Sequence, residues 1–161
     1  MRQQEPGHKS QTDIDTRLEI VREVHGRLPF NQFLGLKVEH LRTDSAAYSF
    51  SMKDVLLGNS TRRMLHGGVI SAVLDAIGGI AATASAMERL HDADREEIVR
   101  RIARMGTIDM RVDYLRPGSG ERFLATATML RTGSKVAVAR MELKNEEGLL
   151  IAVGMGAFLI G

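Results

Sequence analysis

The chain has 161 residues, of which 43% are hydrophobic and 26% are charged, and its formal net charge is +2. This composition is typical of a globular protein and excludes both a disordered chain and a membrane protein class. The length suits one domain over residues 1–161, in which residues 1–33 form an N-terminal helix and lead-in. Because the basic residues are dispersed among acidic ones, we expect no nucleic-acid partner.

The sequence contains no cysteine, which excludes disulfides, a thiolate nucleophile and a cysteine-ligated metal. The first 13 residues lack the apolar run of a signal peptide, so the expected location is the cytoplasm. We also expect no metal site, because His66 and Asp75 do not share a helical face at ligand spacing.

The N-terminal third predicts a helix followed by a hairpin. Apolar residues three and four apart predict an amphipathic helix from Asp13 to Leu28, with Thr12 or Asp13 as its cap. Strands are predicted over residues 36–42 and 46–52, because the second of these alternates between apolar and polar side chains. Residues 53–64 have a loop composition and lead to the centre of the chain.

The central stretch, residues 64–87, predicts a long helix around which the other elements are arranged. One face is apolar at helical spacing and the opposite face is uncharged, so the helix must be buried on every side. Asp75 is the only ionisable residue from Gly67 through Met87. Burying an unpaired carboxylate costs several kcal/mol, so we expect Asp75 to serve a reaction. The alternative is that Asp75 only fixes a packing register. Because the central stretch carries Asp75 and has no flanking aromatic residues, we expect that it does not insert into a membrane.

The C-terminal half predicts a charged helix followed by a series of strands. Residues 88–105 are mostly charged and predict a solvated helix with a narrow apolar face. Strict alternation from Thr107 predicts a strand, and three more strands follow over residues 122–130, 135–143 and 149–160. Since short connections force antiparallel neighbours, the expected fold class is α+β, with a curved antiparallel sheet of five or six strands around the central helix.

Gly67 and Gly68 open the central helix and are candidates for a binding role. Glycines at this position allow another group to approach the free N–H groups of the first turn, where the helix dipole favours negative charge. The pair therefore predicts contact with a carbonyl oxygen or an oxyanion.

An LHGG motif, followed by an acid nine residues after the histidine, resembles the hotdog-fold acyl-CoA thioesterases of the phenylacetate-degradation type. The segments RMGTIDMRVDYLRPGSGERF and KVAVARMELKNEEG are similar to the YigI-type thioesterases of that group, which act on medium-chain and long-chain substrates. The similarity runs from about Pro29 to the C-terminus. It implies a hotdog fold and the hydrolysis of aliphatic acyl-CoA thioesters. Coenzyme A would be part of the substrate, and no other cofactor is expected.

The resemblance also implies roles for residues around the motif. Asp75 would either activate water or attack the thioester carbon, and the backbone N–H of Gly68 would stabilise the oxyanion. Asn59 is the candidate for positioning water or substrate. His66 is expected to position the site through backbone contacts, with Gly67 contacting the substrate.

Further candidates lie outside the motif. Relatives use a serine or threonine beyond the acid, and Thr83 and Ser85 are present, although neither is at a matching offset. For the phosphates of coenzyme A we expect Arg116, Arg131 and Lys135, which lie near predicted strand ends, against the alternative of plain surface charge.

Helix geometry predicts a homo-oligomer, either a dimer or a dimer of dimers. Gly68 and Asp75 are seven residues apart, which is roughly 10 Å along a helix, so one helix cannot bring both to one reacting atom. Two antiparallel helices about a two-fold axis can, and the strand over residues 108–115 is the candidate for pairing with its mate. Small residues at positions 78, 79, 81 and 82 would permit close approach of the helices or pack on the sheet.

Two other functions are compatible with the fold. The first is a non-enzymatic acyl-CoA sensor, but about thirty residues before the sheet leave no room for a helix-turn-helix domain. The second is a dehydratase, whose usual motif is not evident in the sequence.

Overall fold

The computed structural model describes residues 9–90 and 93–161, with side chains from residue 13 onward. It contains four α-helices and eight strands within these ranges. The helices are α1 (Lys9–Gly26), α2 (Pro29–Leu34), α3 (Gly67–Ala86) and α4 (Arg95–Ile102). The strands are β1 (Lys37–Leu41), β2 (Ser45–Ser51), β3 (Leu57–Asn59), β4 (Met64–Leu65), β5 (Gly106–Tyr114), β6 (Arg122–Thr132), β7 (Val136–Asn145) and β8 (Leu150–Leu159).

Six of the strands form one antiparallel sheet in the order β1-β2-β6-β7-β8-β5. The strands β6, β7 and β8 follow one another as hairpins, whereas β5 lies at one edge and β1 at the other. Strands β3 and β4 form a separate small hairpin. Helix α3 packs across one face of the large sheet, mainly on β6 and β7. This arrangement confirms the predicted antiparallel sheet around a long central helix.

The inner face of the sheet is built from small residues where α3 crosses it. Ala125, Ala127, Ala137 and Ala139 are at most 1% exposed, and they lie in β6 and in the first half of β7. Small side chains let the helix approach the sheet closely, so that the apolar residues of α3 pack directly on the strands. Met141 and Leu143 continue this buried face along β7.

The end of α3 is fixed to the N-terminal helix by a buried arginine. Arg17 is 3% exposed, and its Nη1 donates to the carbonyl of Met87 at 2.5 Å. Asp13 forms an ion pair with the same guanidinium at 3.1 Å, which compensates part of the cost of burying the charge. Helix α1 therefore covers the C-terminal part of α3.

The predicted boundaries were wrong in the N-terminal region. Helix α1 begins at Lys9, so Thr12 and Asp13 lie inside it and do not cap it. The segment predicted to lead directly into a strand forms α2 instead, because Pro29 suits the first helical turn. Gly35 then ends α2 with a φ of 77°, in the left-handed region that favours glycine.

Two further segments differ from the prediction. The stretch predicted as a loop contains a 3₁₀ turn, Asp54–Leu56, and the β3–β4 hairpin. The charged stretch is not one helix: a 3₁₀ turn at Met87–Arg89 precedes the short α4. Asp94 caps α4 by accepting a 2.8 Å hydrogen bond from the N–H of Glu97, which fixes where that helix begins.

By length and composition, the stretch Gly67–Arg89 could cross a bilayer, with a mean hydropathy of 1.7. In the fold, 67% of its most apolar 18-residue window is buried by protein, and this packing accounts for the apolar composition of the helix.

Candidate active site

The first turn of α3 is held by its own cap and by a neighbouring strand. His66 is the N-cap residue, and its Nδ1 accepts a 2.9 Å hydrogen bond from the N–H of Gly68. Tyr114 at the end of β5 donates from its Oη to the carbonyl of Gly67 at 3.0 Å. A Cβ at Gly67 would lie 3.6 Å from the Tyr114 ring, which is an ordinary van der Waals contact, so Gly67 and the tyrosine pack directly together.

The β3–β4 hairpin supports this cap from the other side. The N–H of His66 donates to the carbonyl of Leu56 at 2.9 Å. A Cβ at Gly58 would lie 2.6 Å from the Cα of His66, a distance at which only glycine fits. His66 is therefore held in place by the hairpin on one side and by the first turn of α3 on the other.

The two backbone N–H groups of this turn differ in whether they have a hydrogen-bond acceptor. Gly68, the predicted oxyanion donor, is engaged with His66, so a substrate oxygen would have to share that N–H or displace the imidazole. Gly67 has no acceptor for its N–H among the described residues. Both glycines are at the positive end of the helix dipole, where an anionic oxygen is favoured.

Asp75 lies two turns further along α3 and forms a hydrogen bond to Thr107. Thr107 Oγ1 donates to Asp75 Oδ1 at 2.6 Å, and Oδ2 has no partner among the described residues. The carboxylate is half-buried rather than fully enclosed. The prediction that α3 is buried on every side was therefore wrong at this face, which borders a cavity.

Thr107 reaches Asp75 because β5 contains a bulge. The register of β5 against β8 shifts between Thr107 and Asp109, so that Thr107 pairs with Phe158 on the face toward α3. Without the bulge, alternation from Met110 would place Thr107 on the opposite face. Ile108, predicted to share a face with Met110, is 56% exposed as a result.

A cavity of about 570 Å³ lies along α3 from Ala72 to Thr83, and Asp75 and Thr107 are part of its wall. Its walls come from α1, α2, α3, α4 and the last residues of β8. The lining is mostly apolar, and it includes Val24, Leu28, Phe30, Ala72, Ala76, Gly79, Ala82, Ile102, Met105, Phe158 and Ile160. A largely apolar cavity with one carboxylate in its wall suits a ligand with an aliphatic part and a polar reacting group.

The other polar groups in the wall are explained by contacts within the protein, with one exception. Asn31 donates to the carbonyl of His25 at 3.0 Å, and Thr83 donates to the carbonyl of Gly79 at 2.8 Å. The exception is His25 Nε2, which is buried without a hydrogen-bond partner among the described residues. Burial lowers the pKa of His25 from 6.5 to about 4, so its imidazole is neutral near pH 7.

The structure does not bring Asn59 to the carboxylate within one chain. Asn59 is exposed at the end of β3, and its Oδ1 accepts a 2.9 Å hydrogen bond from the N–H of Arg62 in the hairpin turn. Thr83 and Ser85 donate to helix carbonyls, and neither forms a hydrogen bond with Asp75. The hydroxyl beside the acid is Thr107, which no spacing in the sequence indicated.

The three predicted phosphate ligands do not form one site within a protomer. Arg116 donates to the carbonyl of Leu150 at the start of β8, whereas the carbonyl of Lys135 accepts from Ile160 just beyond its end. The ten residues of β8 span roughly 30 Å, which separates these two basic residues. Arg131 lies in the same hairpin region as Lys135, and both side chains are exposed.

Among the described residues, no three histidine or acidic side chains are grouped so that they could hold a metal ion.

Comparison with known proteins assigns the family. The family profile of the Thioesterase superfamily matches residues 63–152. The medium/long-chain acyl-CoA thioesterase YigI of Escherichia coli K12 is 46% identical over 134 residues, which cover 83% of this chain and 86% of that protein. The protein of the same name from Salmonella typhimurium is 45% identical over the same shares.

Solved structures agree with the sequence comparison. A crystal structure from Shewanella oneidensis, related to the thioesterase superfamily, matches with a TM-score of 0.86 and 42% identity, covering 92% of this chain and 97% of that one. The PaaI protein of the Escherichia coli phenylacetic acid degradation operon matches with a TM-score of 0.73 over 92% and 96% of the two chains. At 16% identity, this second match shows likeness of fold alone.

The sheet wrapped around α3 is thus the hotdog fold, and the chain belongs to the thioesterase superfamily. The resemblance noted at the LHGG motif and the two downstream segments is confirmed. The catalytic and binding roles of individual residues remain predictions.

Proposed function

We propose that this protein hydrolyses acyl-CoA thioesters with medium or long aliphatic chains, releasing the free acid and coenzyme A. The observation that carries the proposal is the carboxylate of Asp75, oriented by Thr107, in the wall of a mostly apolar cavity of about 570 Å³. The cavity offers a place for the acyl chain, and the carboxylate offers a base or nucleophile for the thioester carbon. The named activity of the YigI relatives supports the same substrate class.

The chemistry needs a donor for the developing oxyanion as well as a carboxylate. Asp75 Oδ1 accepts from Thr107, which leaves Oδ2 to deprotonate water or to attack the carbonyl carbon. The Gly68 N–H would stabilise the oxyanion after the thioester oxygen replaces His66 Nδ1 as its acceptor. His66 acts in this scheme as a positioning residue, since it holds the first turn of α3 in place. The substrate supplies coenzyme A, and no separate cofactor is required.

The active unit in this proposal is a dimer with two shared sites. Within one chain, Gly68 and Asp75 lie about 10 Å apart along α3, whereas both must be close to one reacting carbon. Strand β5 is an edge strand of nine residues with one side unpaired in the sheet order, so it can pair with the β5 of a second copy. Two antiparallel α3 helices would then bring the Gly68 turn of one chain beside Asp75 of the other.

A site shared between two chains would also bring together basic residues that lie far apart within one chain. Tyr114, two residues before Arg116, contacts the first turn of α3, and Arg89 just after α3 donates to the carbonyl of Thr132, next to Arg131. Antiparallel helices would therefore bring Arg116 of one chain to the same end of the dimer as Arg131 and Lys135 of the other. We assign the phosphates of coenzyme A to this combination. The reaction is placed in the cytoplasm, in keeping with the cysteine-free sequence.

The test is turnover of purified protein against straight-chain acyl-CoA esters from butanoyl-CoA to hexadecanoyl-CoA, with benzoyl-CoA and phenylacetyl-CoA beside them. We expect kcat/KM to be highest for medium or long straight chains, because the cavity wall is aliphatic. Faster turnover of either aryl ester than of every straight-chain ester would contradict the substrate class. Stoichiometric binding of acyl-CoA without release of free thiol would instead support the sensor.

A further inference from the structure

Two adjacent glycines in the middle of α3 have opposite surroundings. A Cβ at Gly78 would lie 3.0 Å from Phe158 Cε2 and 3.2 Å from Met141 Sδ, so packing on the sheet requires that glycine. A Cβ at Gly79 would meet no atom within 4 Å. A glycine inside a helix is less stable than alanine, so packing within this chain gives no reason for a glycine at position 79.

The open space at Gly79 belongs to the cavity. Gly79 lines the wall of the cavity together with Asp75, Ala76 and Thr83, and these four residues share one face of α3. Gly79 is four positions after Asp75, which is about 6 Å along the helix axis and away from the Gly68 turn. A chain whose thioester carbon lies at Asp75 and which extends into the cavity therefore passes over Gly79 within its first few carbons.

We infer that Gly79 determines how long an acyl chain the enzyme accepts, because the absence of a side chain there keeps the cavity open beyond Asp75. This inference rests on the proposed acyl-CoA hydrolysis. A side chain at position 79 would project into the cavity between Asp75 and Thr83 and narrow it there. The part beside Asp75 would still admit a short chain, and the part toward Thr83 and Ile160 would become inaccessible to a long one.

The experiment compares wild-type protein with Gly79→Ala, Gly79→Val and Gly79→Leu over the same series of straight-chain esters. We expect kcat/KM for the longest chains to fall progressively with side-chain size, by more than about tenfold in Gly79→Leu, while butanoyl-CoA changes by less than about threefold. The optimum should move to shorter chains in the same order. Gly26→Leu is the matched control, because Gly26 is exposed, has open space at its Cβ and does not line the cavity.

Two measurements keep the outcome decisive. Binding of hexadecanoic acid by calorimetry reports on the cavity independently of turnover, and it should weaken in Gly79→Leu but not in Gly26→Leu. Sedimentation reports the oligomeric state. If all chain lengths lose activity equally, or if Gly79→Leu changes the oligomeric state, then position 79 does not act by setting the length of the cavity and the inference is overturned.

The inference and the proposed function fail in different ways. A wild-type protein that binds hexadecanoic acid but hydrolyses no ester would contradict the proposed function, and the binding series would still decide the role of Gly79. An active wild-type protein with an unchanged chain-length profile in Gly79→Leu would contradict the inference alone. If Gly79→Leu does not fold, the small Gly79→Ala change decides the question, since it must shift the profile in the same direction.

Discussion

Thr107 Oγ1 donates a 2.6 Å hydrogen bond to Oδ1 of Asp75, and it joins the edge strand β5 to the middle of α3. The two residues are 32 positions apart in the chain, and a β-bulge turns Thr107 toward the helix. A carboxylate held through one oxygen keeps the other available at a fixed angle. The first two predictions concern this pair.

Asp75→Asn should reduce kcat/KM by about a hundredfold or more, because the amide cannot act as a base or nucleophile. The Asn side chain can still accept from Thr107, so the fold should be retained. Circular dichroism and thermal unfolding check the fold, and thiol release from a long-chain acyl-CoA checks the activity. An Asn variant that is folded and keeps most of the wild-type kcat/KM would show that Asp75 is not the catalytic group.

Thr107→Val should lower kcat by about ten- to a hundredfold with little change in KM, because the carboxylate loses the donor that orients it. Thr107→Ser restores the hydroxyl and should recover most of the lost rate. A loss of packing alone would have the opposite pattern, with the isosteric Val variant more active than the Ser variant.

Mixing two inactive variants should restore activity if each site is built from two chains. Asp75→Asn removes the carboxylate, and Gly68→Pro removes the N–H donor at a helix position that tolerates proline. A heterodimer contains one intact site, so random exchange should recover about a quarter of the wild-type activity. Mass spectrometry of the mixture confirms exchange. Proven exchange without recovery, or a fully active monomer in sedimentation, would reject the shared site.

His25 should make the protein less stable at mildly acidic pH. Well above pH 6.5 the imidazole is neutral in both the folded and unfolded states, so it has little effect on stability there. As the pH falls toward 4, only the unfolded chain takes up the proton, because burial lowers the folded-state pKa to about 4. The free energy of unfolding should therefore fall by as much as roughly 3 kcal/mol more in wild type than in His25→Leu. Urea unfolding at pH 7, 5.5 and 4 measures this difference, with His40→Leu on exposed β1 as the control.

The two adjacent glycines of α3 should respond to alanine in opposite directions. Gly78→Ala should destabilise the protein by about 1–3 kcal/mol, because the added methyl group meets Phe158. Gly79→Ala should stabilise it by about 0.5–1 kcal/mol, because the methyl group enters open space and alanine favours the helix. Thermal unfolding of both variants tests this, and equal shifts for the pair would contradict the packing described for α3.

The sequence by itself determined the main elements and the family of this protein. The uncharged, apolar stretch around Asp75 predicted the central helix, because such a helix is stable only when it is covered by other elements. Alternation of apolar residues with short connections predicted the antiparallel sheet, since period two and short turns are local properties. The LHGG motif with Asp75 carried the family resemblance, which relatives at 46% identity confirm.

The tertiary structure decided the contacts that depend on register and on distance between elements. Thr107 faces Asp75 only because of a bulge, and a one-residue change of register reverses a strand's faces without any mark in the residue pattern. Gly78 and Gly79 are identical in sequence terms, yet one packs on Phe158 and the other opens into the cavity. Arg116 and Lys135 are both near strand ends, but β8 holds them roughly 30 Å apart. Periodicity specifies which face of an element is buried, whereas packing between distant elements specifies which atoms meet.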